Sequence, residues 1–287
     1  MEALMHDLRG KAVADALTER LKKDISALGE KGVVPKLAVV RIGNREDDIS
    51  YERGILKKFD AVGAKAEVHE LPENCSYDQL EKLVSGLNND NDVHGMLLFR
   101  PFPDKSFEDK IKLVIRPKKD TDGMSPINNA HIYAGDKSGY PPCTPQGVIE
   151  LLDFYGIDVV GKNVTVVGRS LVVGKPLAML LIAKNATVTV CHTKTADLAS
   201  ECKKADILIA CAGVAKMIKK DFVHKDQIVI DVGVNVGEDG KLCGDVDYAE
   251  VAEHVKAITP VPGGTGTVTT CVLLKHVVNS AMNERLN

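Results

Sequence analysis

The residues with the clearest chemical potential lie in a glycine-bearing stretch between a short apolar segment and a helical one. Residues 164–167 are apolar or β-branched and predict a buried strand, and the stretch from Lys175 has helical spacing. The candidate phosphate-binding residues of this stretch are Gly168, Arg169, Ser170, Gly174 and Pro176. A strand, a glycine turn and a helix N-terminus form the unit that binds dinucleotide phosphates. We therefore predict a dinucleotide site, with a plain strand-to-helix turn as the alternative.

The end of the next strand indicates which dinucleotide binds. Residues 187–191 predict this strand, and His192, Thr193 and Lys194 come directly after it. NAD-binding folds usually have Asp or Glu there, which accepts a hydrogen bond from the ribose 2′-hydroxyl. An imidazole, a hydroxyl and an ammonium group suit a 2′-phosphate instead, and Arg169 adds a bidentate donor. The sequence therefore favours NADP over NAD, although a loop histidine and a solvated lysine would look the same.

Strands and helices alternate along the chain. Predicted strands lie at 37–42, 66–71, 93–99, 164–167, 187–191, 207–211, 227–232 and 257–259. Predicted helices lie at 7–28, 50–62, 77–88, 107–115, 146–155, 195–203 and 268–286, with another from Lys175. Such alternation is typical of parallel sheets covered by helices. The predicted fold class is therefore α/β with two domains: an N-terminal α/β domain with a parallel sheet and a Rossmann-type NAD(P)-binding domain, with a cleft between them.

The predicted domains do not follow chain order. Residues 1–142 plus 269–287 form the substrate domain and 143–268 the NAD(P)-binding domain, because the last helix follows a glycine-rich turn and is expected to return to the first domain. The segment 117–145 is rich in Pro, Gly, Asn and Asp and too long for a simple connection, so it predicts a functional loop. Substrate and cofactor are expected to meet in the cleft.

Composition excludes several other classes of function. With 37 Lys and Arg against 40 Asp and Glu, the net charge is −3 and no nucleic-acid partner is predicted. No apolar run is long enough to span a bilayer, and the N-terminus lacks the apolar core of a signal peptide, so no membrane association is expected. Seven cysteines without a CxxC pair indicate free thiols and a cytoplasmic protein. The eight histidines have no metal-binding spacing, so no metal site is predicted.

Seven further motifs occur in one order along the chain. They are 117–123 (PKKDTDG), 142–147 (PCTPQG), 167–176 (VGRSLVVGKP), 186–195 (ATVTVCHTKT), 230–235 (IDVGVN), 244–247 (GDVD) and 259–264 (TPVPGG). With them the chain resembles the bifunctional methylenetetrahydrofolate dehydrogenase/cyclohydrolase family over nearly its whole length. The resemblance implies a homodimer, NADP in the second domain and a tetrahydrofolate derivative in the cleft. It implies hydride transfer from 5,10-methylenetetrahydrofolate to NADP, followed by hydrolysis of the methenyl product to 10-formyltetrahydrofolate.

The resemblance also assigns site residues, two of which depart from the family pattern. Tyr51 matches the active-site tyrosine, and Asp122 matches the aspartate that contacts the pterin. The position of the catalytic lysine, four residues after the tyrosine, is Ile55, and the position of its supporting glutamine is Phe99. The remaining candidates are Val234, for the cofactor, and Pro262, Gly263 and Gly264, for the substrate.

These departures affect the two reactions unequally. Hydride loss is driven by the folate's own nitrogens and chiefly needs the reactants held together. Hydrolysis needs a side chain of tuned pKa to activate water, and neither isoleucine nor phenylalanine supplies one. Lys58 and Asp48 are conceivable substitutes, but a solvated lysine and a helix N-cap are the simpler interpretations. We therefore expect a dehydrogenase with weak or absent cyclohydrolase activity, with an NADP- or folate-binding pseudoenzyme and a shikimate-dehydrogenase-like reductase as alternatives.

Overall fold

The computed structural model describes residues 6–283, which group into two compact units. The three-stranded unit comprises Ala16–Cys143 and the described chain from Thr270 onward. The five-stranded unit comprises Thr144–Thr269 and the described residues up to Asp15. Each unit contains a parallel sheet, which confirms the predicted two-domain α/β class. Within residues 6–283, no helix combines the length and apolar character needed to cross a bilayer.

The first half of the chain supplies most of the three-stranded unit. Its elements are α1 (Gly10–Gly29), β1 (Lys36–Ile42), α2 (Glu46–Asp60), β2 (Lys65–Leu71), α3 (Tyr77–Asn89), β3 (Gly95–Leu98), α4 (Ser106–Ile111) and α5 (Pro126–Ala134). The strand order is β2-β1-β3, with Leu37 of β1 opposite Ala66 and Gly95. Because β1 is the central strand, its apolar run is buried on both faces, as expected for a parallel sheet. The carboxyl ends of all three strands consequently lie at one edge of the sheet.

The helix α2 begins at Glu46, four residues before the predicted start at residue 50. Its first turn contains Glu46, Asp47 and Asp48, whose negative charges stabilise the positive end of the helix dipole. The predicted start at residue 50 is therefore four residues too late. The earlier start gives α2 an additional turn ahead of Tyr51.

The predicted loop 117–145 contains a helix, α5, that the sequence interpretation missed. The Ser125 hydroxyl accepts a hydrogen bond from Asn128 N at 3.2 Å and caps the helix, and Pro126 occupies its first turn. Gly135, with a φ of 71°, ends it in the left-handed conformation. These are ordinary start and stop signals, and the segment's high content of turn-forming residues concealed them.

The five-stranded unit contains the nucleotide-binding motifs. Its elements are α6 (Cys143–Phe154), β4 (Asn163–Val167), α7 (Gly174–Ala183), β5 (Thr187–Cys191), α8 (Leu198–Lys203), β6 (Ile207–Ala210), β7 (Ile228–Asp231), β8 (Asn235–Val236), β9 (Leu242–Cys243), α9 (Tyr248–Val251) and β10 (Ala257–Ile258), and α10 (Gly266–Asn283) follows. The parallel strand order is β10-β7-β6-β4-β5. After β4 the chain adds β5 on one side and then crosses back to add β6 on the other side. A ligand crevice forms at such a switch point, between β4 and β6. The two-residue strands β8 and β9 are too short for a periodicity argument and were not predicted.

The first described residues pair with the five-stranded unit. Leu8 N donates to the Ile258 carbonyl at 2.8 Å, and Gly10 N donates to the Gly263 carbonyl at 2.9 Å. This grouping differs from the predicted domain 1–142 at its N-terminal end, where the residues up to Asp15 join the other unit. Backbone pairing between residues 250 or more positions apart carries no local sequence signal.

Candidate functional site

Gly168 and Gly174 form a cradle at the carboxyl end of β4. Gly168 has a φ of 140°, and a Cβ there would lie 2.8 Å from Cys211 Sγ and closer still to the Cys211 carbonyl oxygen. Because Cys211 follows β6, the two loops at the switch point approach each other backbone to backbone. A Cβ on Gly174 would lie 2.9 Å from Arg169 N and press on the Gly168 carbonyl oxygen. Glycine at both positions keeps the cradle open for a phosphate that approaches the backbone.

The polar groups of this loop suit an anion. Ser170 Oγ accepts a hydrogen bond from Val173 N at 3.0 Å, which fixes the loop at the start of α7 and leaves its hydroxyl hydrogen free to donate. Arg169 is exposed and forms no ion pair with any residue of the described chain. Pro176 is buried in the first turn of α7, where its missing N–H costs nothing. The loop therefore offers a hydroxyl, a guanidinium and a helix N-terminus to a phosphate.

The turn after β5 presents donors. His192 Nδ1 accepts a hydrogen bond from Lys194 N at 3.1 Å, and His192 N donates to Thr195 Oγ1 at 2.9 Å. The first of these bonds assigns the proton of the neutral imidazole to Nε2, which is thereby a donor. Thr193 is exposed in the same turn. The turn contains no carboxylate to accept a hydrogen bond from a ribose 2′-hydroxyl, so the residues fit the 2′-phosphate of NADP.

Two buried carboxylates hold the loops that follow β6 and β7. Asp245 accepts hydrogen bonds from the backbone N–H groups of residues 212–214 and from the Asn235 side chain at 2.9 Å. Asp231 accepts hydrogen bonds from Asp245 N at 3.0 Å and from Val246 N at 2.9 Å. Burial raises the pKa of Asp231 to about 7, against the opposing effect of its hydrogen bonds from the backbone. The aspartates of the 230–235 and 244–247 motifs thus shape the loops beside the nucleotide site.

The remaining candidates in the five-stranded unit are backbone or apolar contacts. Val234 follows β7 and is 63% exposed, so its side chain is accessible to a bound ligand. Pro262 and Gly263 are exposed and Gly264 is buried, in a turn where Gly263 has a φ of 104°. These four residues share a unit with the phosphate cradle, whereas the other candidate substrate ligands belong to the three-stranded unit.

The structure brings Tyr51, Ile55 and Phe99 together in the three-stranded unit. The rings of Tyr51 and Phe99 pack with centroids 5.8 Å apart, and Ile55, one turn further along α2, is completely buried. The Tyr51 side chain is 37% exposed as a whole, but desolvation of its phenol group raises its pKa above the ordinary value, and the Cys143 and Asp122 charges add to this rise. Tyr51 therefore stays protonated and keeps a hydroxyl hydrogen that can be donated to a ligand. Ile55 and Phe99, at the positions that the resemblance assigns to lysine and glutamine, contribute only packing.

Neither conceivable substitute for the lysine is available. Lys58 Nζ donates to Thr18 Oγ1 at 2.6 Å, so this lysine binds the neighbouring helix and is not the solvated side chain that we expected. Asp48 accepts two hydrogen bonds from the Arg45 guanidinium at 2.7 and 2.8 Å, and its side chain is 12% exposed. Because Asp48 lies inside the first turn of α2, the interpretation as an N-cap is wrong.

The Asp122 carboxylate accepts hydrogen bonds from two donors, one on each oxygen. Its Oδ1 atom accepts a hydrogen bond from Cys143 N at 2.9 Å, and its Oδ2 atom accepts one from Arg100 Nη2 at 3.2 Å. The carboxylate is 23% exposed. A carboxylate has about four acceptor sites, so both oxygens retain capacity for a ligand's N–H groups.

A second carboxylate anchors the loop that carries Asp122. Asp120 accepts hydrogen bonds from Met124 N at 2.9 Å, Ser125 N at 2.7 Å and Asn128 Nδ2 at 2.8 Å. Burial is the largest influence on Asp120 and raises its pKa. These bonds join the chain before Asp122 to α5, so this part of the 117–145 segment positions the candidate ligand.

Arg100 is the site residue that sequence reasoning missed, because the RPFP stretch indicated only the end of a strand. A signal was present: a basic residue directly after a buried strand lies at the carboxyl edge of a parallel sheet, where ligands bind. Its pairing with Asp122, which is 22 residues further along the chain, could not be inferred from spacing.

Two family models match the chain, one for each part. The catalytic-domain model of the tetrahydrofolate dehydrogenase/cyclohydrolase family matches residues 8–122. The NAD(P)-binding-domain model of the same family matches residues 142–285.

Individual proteins match over nearly the full length. The bifunctional protein FolD of Clostridioides difficile is 50% identical over 273 residues, which cover 95% of each chain. The crystal structure of the bifunctional enzyme FolD from Campylobacter jejuni has a TM-score of 0.94 at 41% identity and covers 96% of this chain and 98% of that one. The Trypanosoma brucei methylenetetrahydrofolate dehydrogenase-cyclohydrolase, solved with NADP and an inhibitor, has a TM-score of 0.89 at 33% identity and covers 97% and 98%.

Proposed function

This chain belongs to the tetrahydrofolate dehydrogenase/cyclohydrolase family, and we propose that it oxidises 5,10-methylenetetrahydrofolate with NADP but hydrolyses the methenyl product weakly or not at all. The observation that carries the second part is Ile55, completely buried at the position of the family lysine, together with Phe99 against Tyr51. Neither side chain can accept or deliver the protons that hydrolysis requires.

The residues around the glycine cradle support NADP as the cofactor. Gly168 and Gly174 admit the phosphates, Arg169 and Ser170 donate to them, and His192 with Thr193 would meet the 2′-phosphate. When bound, NADP supplies the acceptor for the hydride. Family membership also removes the basis for the alternative of a shikimate-dehydrogenase-like reductase.

In the three-stranded unit, the chain's own groups hold the folate. Tyr51 stays protonated and donates a hydrogen bond, while the Asp122 carboxylate accepts from pterin N–H groups. The reaction removes a hydride from the methylene carbon, and the lone pair of the adjacent folate nitrogen forms the new C=N bond of the methenyl cation. No proton is transferred to the protein in this step, so the apolar Ile55 and Phe99 do not impede it.

Two assays on the purified chain test this proposal. The first supplies methylenetetrahydrofolate with NADP and follows NADPH formation, which we expect to be catalysed. The second supplies methenyltetrahydrofolate and follows its absorbance, which we expect to fall at nearly the rate in buffer alone. Catalysed hydrolysis as fast as the oxidation would contradict the loss of cyclohydrolase activity, and an absence of NADPH formation would favour the pseudoenzyme.

We further propose that the chain acts as a homodimer in the cytoplasm. The family resemblance supports the dimer, and seven free cysteines support a reducing compartment. Light scattering of the purified protein should give twice the 31.0 kDa mass of one chain; a single-chain mass at micromolar concentration would contradict the dimer.

A further inference from the structure

Arg100 is the charged partner of the candidate pterin ligand. Its Nη2 atom lies 3.2 Å from Asp122 Oδ2, and its Nη1 atom lies 3.4 Å from Glu108 Oε1. The Arg100 side chain is only 19% exposed, so this guanidinium is withdrawn from bulk solvent between two carboxylates. Charge-assisted hydrogen bonds in such partly buried places are stronger and more directional than exposed ion pairs.

The backbone of Arg100 is itself held in place. Arg45 Nη2 donates to the Arg100 carbonyl oxygen at 2.9 Å, while the same guanidinium binds Asp48 in the first turn of α2. The segment after β3 is thereby joined to the helix that carries Tyr51. The backbone from which the Arg100 side chain extends to Asp122 is therefore fixed in position.

Asp122 needs such a partner because another carboxylate is close by. Asp120 is almost fully buried two residues earlier and interacts with Asp122 through like charge. The Arg100 guanidinium, bound to Asp122, offsets the repulsion between the two carboxylates. With Cys143 N on Oδ1 and Arg100 on Oδ2, both oxygens of the Asp122 carboxylate are fixed in direction.

We propose that Arg100 is a positioning residue for substrate: it holds the Asp122 carboxylate in the orientation that receives the N–H groups of the pterin. The proposal rests on the proposed function, since it takes Asp122 to be the pterin ligand. Arg100 acts through Asp122 and takes no part in the hydride transfer. Its removal should therefore weaken folate binding in the ground state and the transition state alike, and change KM more than kcat.

The main test compares Arg100→Met with Arg100→Lys. Methionine keeps the apolar stem but removes the charge, and we expect KM for methylenetetrahydrofolate to rise about tenfold with kcat changed less than about twofold. Lysine restores the charge without the fork, so KM should return to within about threefold of wild type. Glu108→Gln removes the charge of the other partner of Arg100 and leaves the Asp122 bond, so it is the matched control, with KM expected to change less than about twofold.

A double variant separates positioning from other roles. In an Asp122→Asn background, adding Arg100→Met should leave KM unchanged, because the residue it acts through is already altered. A full additional tenfold loss would overturn the proposal and indicate that Arg100 contacts the substrate or stabilises the fold independently. An unchanged KM in the single Arg100→Met variant would overturn it as well.

Separate measurements test the proposed function and the proposed role of Arg100. Wild-type NADPH formation tests the former. Calorimetric binding of tetrahydrofolate to the wild-type and Arg100→Met proteins tests the latter without turnover, with a tenfold difference in Kd expected. Equal Kd values, for proteins with identical circular dichroism spectra, would refute the role of Arg100 whatever the activity.

Discussion

Position 55 carries an isoleucine with no exposed surface, one helical turn from a tyrosine that remains protonated. An isoleucine there fills space and excludes water, both of which hydride transfer tolerates. Hydrolysis requires a water molecule to be deprotonated next to the methenyl carbon, and the surroundings of Tyr51 provide Phe99 for packing instead. The methenyl product would then dissociate unchanged, and its conversion to the formyl compound would depend on uncatalysed hydrolysis or on a separate hydrolase.

Restoring the two polar residues should restore hydrolysis. In the double variant Ile55→Lys with Phe99→Gln, a desolvated lysine beside an amide can transfer protons, so we expect methenyltetrahydrofolate hydrolysis to rise by at least about tenfold. The measurement is the enzyme-dependent loss of methenyl absorbance. Ile55→Leu with Phe99→Leu is the apolar control and should show no rise. A folded double variant that fails to hydrolyse the substrate would show that hydrolysis depends on other positions.

The loops at the carboxyl ends of the strands carry the candidate ligands in both units. In the three-stranded unit, the segments after β3 and before α5 supply Arg100 and Asp122. In the five-stranded unit, the loops after β4 and β6 meet where Gly168 approaches Cys211. The buried apolar strands and the helices hold these loops in place. The polar loop residues are thereby positioned precisely at the carboxyl edge of each parallel sheet.

The crowded glycine at this edge should not tolerate a side chain. Gly168→Ala places a methyl group against the Cys211 backbone at a φ of 140°, so we expect a loss of about 2–4 kcal/mol in unfolding free energy. NADP affinity should also fall. Gly161→Ala is the matched control, because Gly161 has a φ of 67° with open space around it and should cost about 1 kcal/mol with NADP affinity kept.

Urea unfolding and calorimetric titration with NADP measure the two quantities. If both alanine variants bind NADP equally well, crowding at Gly168 is not what keeps the phosphate cradle open.

The molecule divides its tasks between two units with separate sheets. The five-stranded unit carries the phosphate cradle, and the three-stranded unit carries Tyr51 and Asp122. Each unit contains a buried carboxylate that accepts hydrogen bonds from loops near its candidate site. This residue is Asp231 in the five-stranded unit and Asp120 in the three-stranded unit. The stability of the whole chain therefore depends on the protonation of groups that the chemistry does not use.

Asp231 should make stability depend on pH. Its folded pKa of about 7 lies above the ordinary value of 3.8, so the folded chain binds the extra proton between these values. The contribution of this extra proton to the unfolding free energy is complete below pH 3.8 and is lost as the pH rises through about 7. Asp231→Asn cannot titrate, so the advantage of wild type over this variant should shrink by on the order of 2 kcal/mol between about pH 5 and pH 8.

Urea unfolding of both proteins at the two pH values measures this difference. The groups that face Asp231 are the Asp245 carboxylate, the Cys211 thiol and backbone N–H donors, none of which the substitution removes. Asp239→Asn, at an exposed aspartate of the same unit, should show no such change. An advantage of wild type over Asp231→Asn that is equal at both pH values would show that Asp231 is ionised throughout.

The sequence by itself determined the alternation of strands and helices, the phosphate loop and the family. Strands of the five-stranded unit were predicted to within one residue, because a buried parallel strand needs a continuous apolar run that is visible locally. The departures from the family pattern at Ile55 and Phe99 were also visible in the sequence, because they require only that the motif positions be matched. Tertiary structure alone decided which distant groups pair: the side chains of Arg100 and Asp122, those of Lys58 and Thr18, and the backbones of Leu8 and Ile258. Such contacts join residues tens to hundreds of positions apart, and local spacing contains no record of where the folded chain brings them together.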